Sequence, residues 1–492
     1  MVKWRLVSIG ALLSVAACAG LPPKPEPVQL TTEAPLSVVD EGGGTWPAQD
    51  WWTRYQDPTL DQLITAALAA SPTLATAHAR FDSARESVRL AGAETGAQVG
   101  LAGDAERQRL SDNGLISAFP QDLLPFHWYN TFDLGLQARY TFDWWGKQRA
   151  IVEAAMDQAH AAQAERSAAA IALASAVADT YFGWQADQSR LAVLRERRDT
   201  VAREGRIADE RVEAQLDAAD SRQRAMAALA AIEQDIAALR GSATLRIVAL
   251  AALVGRAPDS LPALAPKPLP AVPVALPDGV KLDLIARRAD ITASRWRVEA
   301  AEQNRASARA EFYPDISINA LANLDSLNAS KLLEYGSRAP EAGVALHLPI
   351  FDSGRLKAQY RGAQAAIAAA VAAYDETVVD AARDVATQAA TRARIAAERE
   401  QRVLQVEAAR QLRDSAAARV RQGVTDVRTA LSATDAWIQQ RDELLKLDAA
   451  ALSADINLQR ALGGGYQPPA HLAAYRPVHS TDPDPTTQAT KP

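Results

Sequence analysis

The chain has 492 residues, of which 48% are hydrophobic and 23% are charged, and its formal net charge is −6. This length exceeds one ordinary hydrophobic core, and the composition is that of a chain that folds over most of its length. The mild acidity argues against nucleic acid as a partner. A single cysteine excludes intrachain disulfides and a cysteine-rich zinc cluster.

The N-terminus has the pattern of a secretory signal. Lys3 and Arg5 precede an apolar stretch of about a dozen residues, too short for the ~20 residues that span a bilayer. The small residues directly before Cys18 resemble a bacterial lipobox, which predicts a signal peptide over 1–17 and lipidation with palmitate at Cys18, whose thiol would be diacylated and which would become the new N-terminus. An ordinary signal with a chance cysteine is the alternative. Residues 18–45 include a Pro-rich run typical of a tether behind a lipid anchor.

One motif occurs twice. The sequence FDWWGKQR at 142–149 returns as FDSGRLK at 351–357, and the two glycines, Gly146 and Gly354, lie 208 positions apart. A near-constant offset over ~70 residues predicts two tandem copies of one structural unit. The predicted segments are a first repeat over 46–262, a Pro-rich linker over 263–277, a second repeat over 278–467 and a disordered tail over 468–492.

Each repeat is expected to begin with a helix, near Ser71-Pro72 in the first copy and near Pro277-Asp278 in the second. Two strands follow in each copy, because apolar and polar residues alternate there. The four strands are expected over ~97–110, ~131–142, ~315–324 and ~341–351.

Long helical runs follow the strands, over ~147–256 and ~355–462, without an internal proline. A first helix of about 60 residues would be ~90 Å long and would pack as in a coiled coil. The chain should turn back within 211–220 and within 419–428, and QGVT (422–425) is the turn sequence of the second copy.

Four strands per chain constrain any membrane form. They cannot enclose an interior, since about eight strands only just leave room for side chains. Open strand edges cannot face lipid, so several chains would have to share one barrel. Three chains would supply twelve strands, although two or four chains satisfy the same rule.

Aromatic residues flank the second strand. Trp128 and Tyr129 precede it and Trp144 and Trp145 follow it, which is where an aromatic girdle would lie at the two membrane surfaces. Burial of these rings in a soluble core is the alternative. The glycines at the strand-to-helix turns, Gly146 and Gly354, would permit a close turn.

Seven motifs carry a family resemblance: DWWTRYQDPTLDQLI (50–64), FDWWGKQRA (142–150), LAALVGRAP (250–258), RRADI (287–291), ARAEFYPDISI (308–318), PIFDSGRLKA (349–358) and ALGGGY (461–466). Together they resemble the NodT subfamily of TolC-like outer-membrane efflux lipoproteins. The resemblance implies an α+β membrane protein, a homotrimer with one 12-stranded barrel and a long periplasmic α-helical coiled-coil tunnel. It implies an outer-membrane exit duct for small molecules and drugs, hence antibiotic resistance. The implied partners are a periplasmic adaptor (membrane-fusion) protein, an inner-membrane RND, MFS or ABC transporter, and outer-membrane lipid.

By the same resemblance, the turns within 211–220 and 419–428 form the periplasmic tip. Leu216, Gly423 and Val424 match the turns that contact the adaptor, and Asp217 and Asp426 are candidates for an acidic ring that gates the tunnel. The family's acid is expected one residue before Asp426, and a solvated tip charge is the alternative for both. Three converging acids would raise one another's pKa and favour cations.

An enzyme is not expected. The six histidines are scattered without metal-ligand spacing, and the GGG runs at 42–44 and 463–465 lack the Lys-Ser/Thr of a phosphate loop. No cofactor is implied. Two other functions share several of these features: a lipid-anchored periplasmic coiled-coil scaffold without a pore, and a TolC-like duct for type I protein secretion.

Overall fold

The computed structural model describes residues 27–36, 44–109, 111, 128–272, 277 and 280–468. The signal peptide, Cys18 and residues 469–492 of the tail lie outside these ranges. In chain order the elements are α1 (Pro58–Ala70), α2 (Pro72–Thr95), β1 (Gln98–Arg109), β2 (Trp128–Phe142), α3 (Lys147–Glu213), α4 (Asp220–Val254), α5 (Val280–Arg287), α6 (Ala289–Ala310), β3 (Asp315–Ser326), β4 (Arg338–His347), α7 (Arg355–Arg421) and α8 (Val427–Ala461).

The four expected strands are present, with shifted ends. β2 begins three residues before the expected start, and β3 extends two residues beyond the expected end. The fourth strand was predicted over 341–351 but covers Arg338–His347. His347 pairs with Asp315, the first residue of β3, so the ladder has no partner beyond this point and β4 ends there.

The long helices have matching lengths in the two copies. α3 and α7 have 67 residues each, and α4 and α8 have 35 residues each. The turn between α3 and α4 covers 214–219, whereas the turn between α7 and α8 covers 422–426 and is one residue shorter. Equivalent residues therefore lie 208 apart before the turn and 207 apart after it.

A helix of the second copy begins at Val280, close to the start predicted near Pro277-Asp278. It ends at Arg287, and the longer helix α6 begins at Ala289 after a break at Arg288 that the sequence did not predict. The first copy has the same plan, since α1 and α2 are separated by Ser71. Arg288 contributes to the break, because its guanidinium donates to the carbonyl of Ala461 at the end of α8 and to Asp290.

All four strands form one antiparallel sheet of order β1-β2-β3-β4, so both repeats contribute to it. The register aligns apolar residues in rows across the sheet, such as Leu101, Leu136, Ala322 and Pro340. The alternate rows hold most of the polar residues, such as Asp104, Asp133 and Asp325. β1, which looked more polar in isolation, continues the apolar face through Val99, Leu101 and Ala105. β1 and β4 are the two edge strands, and all of their residues are exposed.

The described chain divides into two compact units, and each takes segments from both repeats. One unit contains the sheet with residues 82–161 and 295–372, and the other contains residues 29–81, 162–294 and 373–468. The core of the second unit includes Leu60, Ile64 and Tyr181, which are fully buried.

Buried polar contacts explain the DWWTRYQDP motif. Tyr181 Oη donates to Asp57 at 2.6 Å, Lys267 Nζ donates to the same carboxylate at 2.6 Å, and Tyr55 Oη donates to Asp455 at 2.7 Å. Asp57 also caps α1 by accepting from the backbone N–H of Thr59. The motif therefore connects the segment that leads into α1 with α3, with α8 and with the linker between the repeats.

Part of the Pro-rich tether is docked. Thr31 Oγ1 donates to Asp375 on α7 at 2.7 Å, and Tyr374 Oη donates to the Thr31 carbonyl at 2.9 Å. Ala34 and Leu36 are buried. The segment 29–36 is thus held against the second unit and is not a free spacer.

One helix in the described part of the chain, α4, is long and apolar enough to cross a membrane by length and composition. Its Ile232, Ile236 and Leu239 pack against α3 residues that include Leu191 and Leu194. This packing is typical of a helix within a coiled coil.

The repeated FD motif is a helix cap. Asp143 accepts from the backbone N–H groups of Gln148 and Arg149, and Asp352 accepts from those of Gly354 and Leu356. Each carboxylate thereby satisfies donors at the N-terminus of a 67-residue helix. The glycines before these helices have positive φ, +76° at Gly146 and +88° at Gly354.

Alanine at Gly354 should destabilise the fold by about 1–2 kcal/mol, because an L-residue is strained at this φ. A Cβ there would meet no atom within 4 Å, so the cost is one of backbone conformation alone. Gly362, inside α7, also has open space around it, and alanine there should stabilise by about 0.5–1 kcal/mol. Thermal unfolding followed by circular dichroism compares the two variants, and shifts of the same sign would contradict this account.

Candidate functional site

The two turns predicted as the tip share one backbone pattern. Leu216 N–H donates to the Arg211 carbonyl at 2.8 Å, and Val424 N–H donates to the Arg419 carbonyl at 2.9 Å. Gly423 has φ +70°, as expected for a helix C-terminus. The first copy has Gln215 at the equivalent position with φ +59°, so a non-glycine residue occupies the left-handed region there.

The turns present apolar side chains to solvent. Leu216 is 64% exposed and Val424 is 67% exposed, and they occupy equivalent positions in the two copies. Large aliphatic side chains exposed at the ends of helical hairpins are suited to contact with a partner protein.

Two acids and two arginines meet at these turns. Asp217 accepts from Arg211, with Nε to Oδ2 at 3.0 Å and Nη2 to Oδ1 at 3.1 Å, and from Arg428 Nη1 at 3.2 Å. Asp426 accepts from Arg428 Nε at 2.9 Å. We call these four residues the tip clasp. It is formally neutral and joins the first repeat to the second.

Asp426 also caps a helix, which explains its displaced position. Its side chain accepts from the backbone N–H of Arg428, so it is the N-cap of α8. Its counterpart in the first copy is Ala219, which makes no such cap. The counterpart of Asp217 is Thr425, whose buried hydroxyl has no hydrogen-bond partner among the described residues.

Within one protomer, each of the two acids is paired with an arginine. Hydrogen bonds from Arg211 hold the pKa of Asp217 below its ordinary value, with Arg428 adding to the effect. The backbone N–H and the guanidinium of Arg428 lower the pKa of Asp426. The raised pKa expected for three converging acids is therefore opposed by the arginines of each protomer. Sequence reasoning missed Arg211 and Arg428, since arginines occur throughout both long helices.

The aromatic residues at the ends of β2 differ in their surroundings. Trp128 and Trp144 are exposed, and Tyr129 Oη donates to Gln108 at 2.6 Å. Trp145 stacks on Tyr313 with ring centroids 4.6 Å apart, and its Nε1 donates to the Pro314 carbonyl at 2.9 Å.

Trp145 thus links the strand-to-helix turn of the first repeat to the start of β3 in the second. The sequence analysis missed the apolar pair of the second turn, Ile350 and Phe351, and Phe351 is 87% exposed. The Phe-Asp pair that occurs at both strand-to-helix turns could have indicated that Phe351 is equivalent to Phe142. Among the residues that the structure describes, no group of three or more His, Cys, Asp or Glu side chains could hold a metal ion.

The tip clasp should be insensitive to pH between 8 and 5. Both carboxyl groups have lowered pKa values, so their stabilising effect is complete above the ordinary aspartate pKa of about 4 and is lost only as pH falls through the lowered values. Hydrogen exchange of the Leu216 and Asp217 amides, corrected for intrinsic rates, would measure this. An Asp217→Asn variant, in which the tip clasp is weakened at every pH, gives the exchange rates for comparison. Loss of protection between pH 7 and 5 would mean that the acids titrate as an unpaired ring.

The model of the outer membrane efflux protein family matches residues 63–256 and 282–464. The multidrug resistance outer membrane protein MdtP of Escherichia coli K12 is 33% identical over 466 residues, covering 93% of this chain and 96% of the relative. MdtQ of Escherichia coli O157:H7 is also 33% identical, over 478 residues, covering 93% and 97%.

Solved structures agree with these sequence relatives. The outer membrane protein VceC of Vibrio cholerae aligns with a TM-score of 0.76 and 32% identity, covering 86% of this chain and 100% of that one. The outer-membrane channel OprN aligns with a TM-score of 0.80 and 25% identity, covering 92% and 100%. The TolC-like fold, the outer-membrane location and the role as an efflux exit duct follow, and the chain belongs to the outer membrane efflux protein family.

Proposed function

We propose that three copies of this chain form one exit duct that carries small molecules, drugs among them, across the outer membrane. A periplasmic adaptor protein and an inner-membrane transporter of the RND, MFS or ABC class would complete the pump. The substrate class is supported by the names of MdtP and MdtQ, which are multidrug resistance proteins. The assembly is supported by the sheet and by the tip.

The sheet is the observation that carries the proposal. Its apolar face continues across all four strands, and its two edges are exposed along their whole length. Unpaired edge groups cannot face lipid, so β4 of one chain would pair with β1 of the next. Three such sheets give twelve strands, enough for an aqueous lumen. A pore-free scaffold would not need an apolar face on every strand.

The exposed rings support contact with outer-membrane lipid. Trp128 lies at one end of β2, while Trp144 and Phe351 lie at the turns that lead into α3 and α7. Aromatic rings at both ends of lipid-facing strands suit the two interfaces of a bilayer. Acyl chains on Cys18 would add a second attachment. The periplasmic end would be the one from which α3 and α7 start.

The tip supports docking and gating. Leu216, Gly423 and Val424 form the exposed turns that an adaptor would contact. The tip clasp holds these turns together through Asp217 and Asp426, so it would keep the tunnel constricted until docking separates its members. Each such gate needs two states with different contacts, and the clasp defines the closed one.

Removing the acids of the clasp should open the duct. The purified protein in planar bilayers should give small, infrequent openings, while Asp217→Ala and Asp426→Ala should enlarge them several-fold, the first more strongly because Asp217 joins both arginines. Glu210→Ala, which removes an exposed acid from α3, is the matched control and should have no effect. Unchanged openings in both aspartate variants would remove the gate assignment, and an absence of channels in every variant would remove the duct.

In cells, a Cys18→Ser variant should lose palmitate labelling if the lipobox is used, because no thiol remains to be acylated. A strain that lacks this chain should accumulate a small-molecule dye several-fold more than the parent, and the wild-type chain should reverse this. Palmitate incorporation and dye accumulation are measured in the same cells. An unlabelled wild-type chain would indicate an ordinary signal peptide, label retained on Cys18→Ser would mean that the acyl group is attached elsewhere, and unchanged accumulation without the chain would exclude the proposed substrate class.

A further inference from the structure

Helices α3 and α8 are joined by two bidentate ion pairs that lie seven residues apart. Arg190 donates to Asp442, with Nε to Oδ1 at 2.8 Å and Nη2 to Oδ2 at 3.2 Å. Arg197 donates to Asp435 in the same way, at 2.8 and 3.4 Å. The step between the two pairs is seven residues on both helices and runs in opposite directions along them, as in an antiparallel coiled coil. We call this series the α3–α8 ladder.

The next pair in the α3–α8 ladder would be Glu204 with Arg428, seven residues further along each helix. Its charges are reversed, with the acid on α3 and the arginine on α8. A straight helix drifts only about 20° per seven residues, so the third pair stays on the same seam. The ladder therefore predicts a contact between Glu204 and Arg428.

That contact is not made in this structure. Arg428 is held in the tip clasp by Asp217 and Asp426. Glu204 Oε1 is buried and has no hydrogen-bond partner among the described residues. Burial, with a smaller effect of the nearby Asp435 carboxylate, raises the pKa of Glu204. A half-buried carboxylate beside a second acid is a site that favours a cation.

We propose that Arg428 is a two-position switch whose guanidinium moves from Asp217 and Asp426 to Glu204 when the tip opens, completing the α3–α8 ladder and holding the open state. This inference rests on the proposed gating of the tip and names the residue that receives the released arginine.

The physical reason is that neither position leaves the arginine without an acid. In the clasped state the two aspartates bind Arg428, and the buried Oε1 of Glu204 has no hydrogen-bond partner among the described residues. In the released state Glu204 is satisfied, and Asp217 keeps its bidentate contact with Arg211. Two arrangements with similar numbers of charge-assisted hydrogen bonds make a bistable element that a docking partner can bias.

Single-channel recording tests the switch in a background where the clasp is already weakened by Asp217→Asn and Asp426→Asn. Adding Glu204→Gln should lower the open probability about three- to tenfold, because the released arginine has lost its charged acceptor. Adding Glu204→Asp should retain part of the opening. Adding Glu210→Gln, an exposed acid on the same helix, should leave it unchanged.

A second measurement separates the switch from a structural role in the closed state. Alone, Glu204→Gln should keep or raise the thermal unfolding midpoint, since it removes a buried charge that has no partner there. A lowered midpoint, or an open probability equal to that of the parent background, would overturn the inference and leave the duct and its clasp intact. If the weakened clasp itself forms no channels, the inference and the proposed gate both fail.

Discussion

The backbone N–H and C=O groups at the two outer edges of the sheet need hydrogen-bond partners, and the rest of this molecule depends on that requirement. One chain supplies four strands with an apolar face, and among the described residues β1 and β4 each pair with one strand only, which leaves their outer edges without a partner. In water such edges invite association, and in lipid they are not tolerated. The turns that follow β2 and β4, the caps on α3 and α7 and the aromatic contacts of Trp145 all fix where the strands end. The sheet and the helices are thus coupled at two points in each chain.

The two repeats share one arrangement of helices and turns, but they differ at the tip. Both long helices have 67 residues, and both begin at a capped glycine turn. At the other end the copies diverge, because Gln215 occupies the position of Gly423 and the first turn has one extra residue. That difference places Asp217 where it meets the arginine of the second copy and leaves Asp426 as a helix cap. The asymmetry of the two tips is therefore what creates the clasp.

Sequence patterns were sufficient where the physics is local. Alternation located four strands, the absence of proline located the long helices, and the repeated glycine marked both strand-to-helix turns. They were insufficient where a contact joins distant parts of the chain. Arg428 lies 211 residues from Asp217, and no local pattern distinguishes it from the other arginines of the long helices. The end of β4 depends on where its partner β3 begins, and the helix break at Arg288 depends on a carbonyl of α8.

The docked tether would limit the distance between the helices and the membrane if Cys18 is acylated as proposed. Thirteen residue steps separate Cys18 from Thr31, which is hydrogen-bonded to α7 at Asp375. Even a fully extended chain covers at most ~3.5 Å per step, so an acylated Cys18 would have to enter the membrane within about 45 Å of Thr31. The number of residues in the tether would then set the largest possible distance between Thr31 and the bilayer. Deletions between Cys18 and Thr31 would shorten that distance, and they would either bring α7 closer to the membrane or break the hydrogen bond between Thr31 and Asp375.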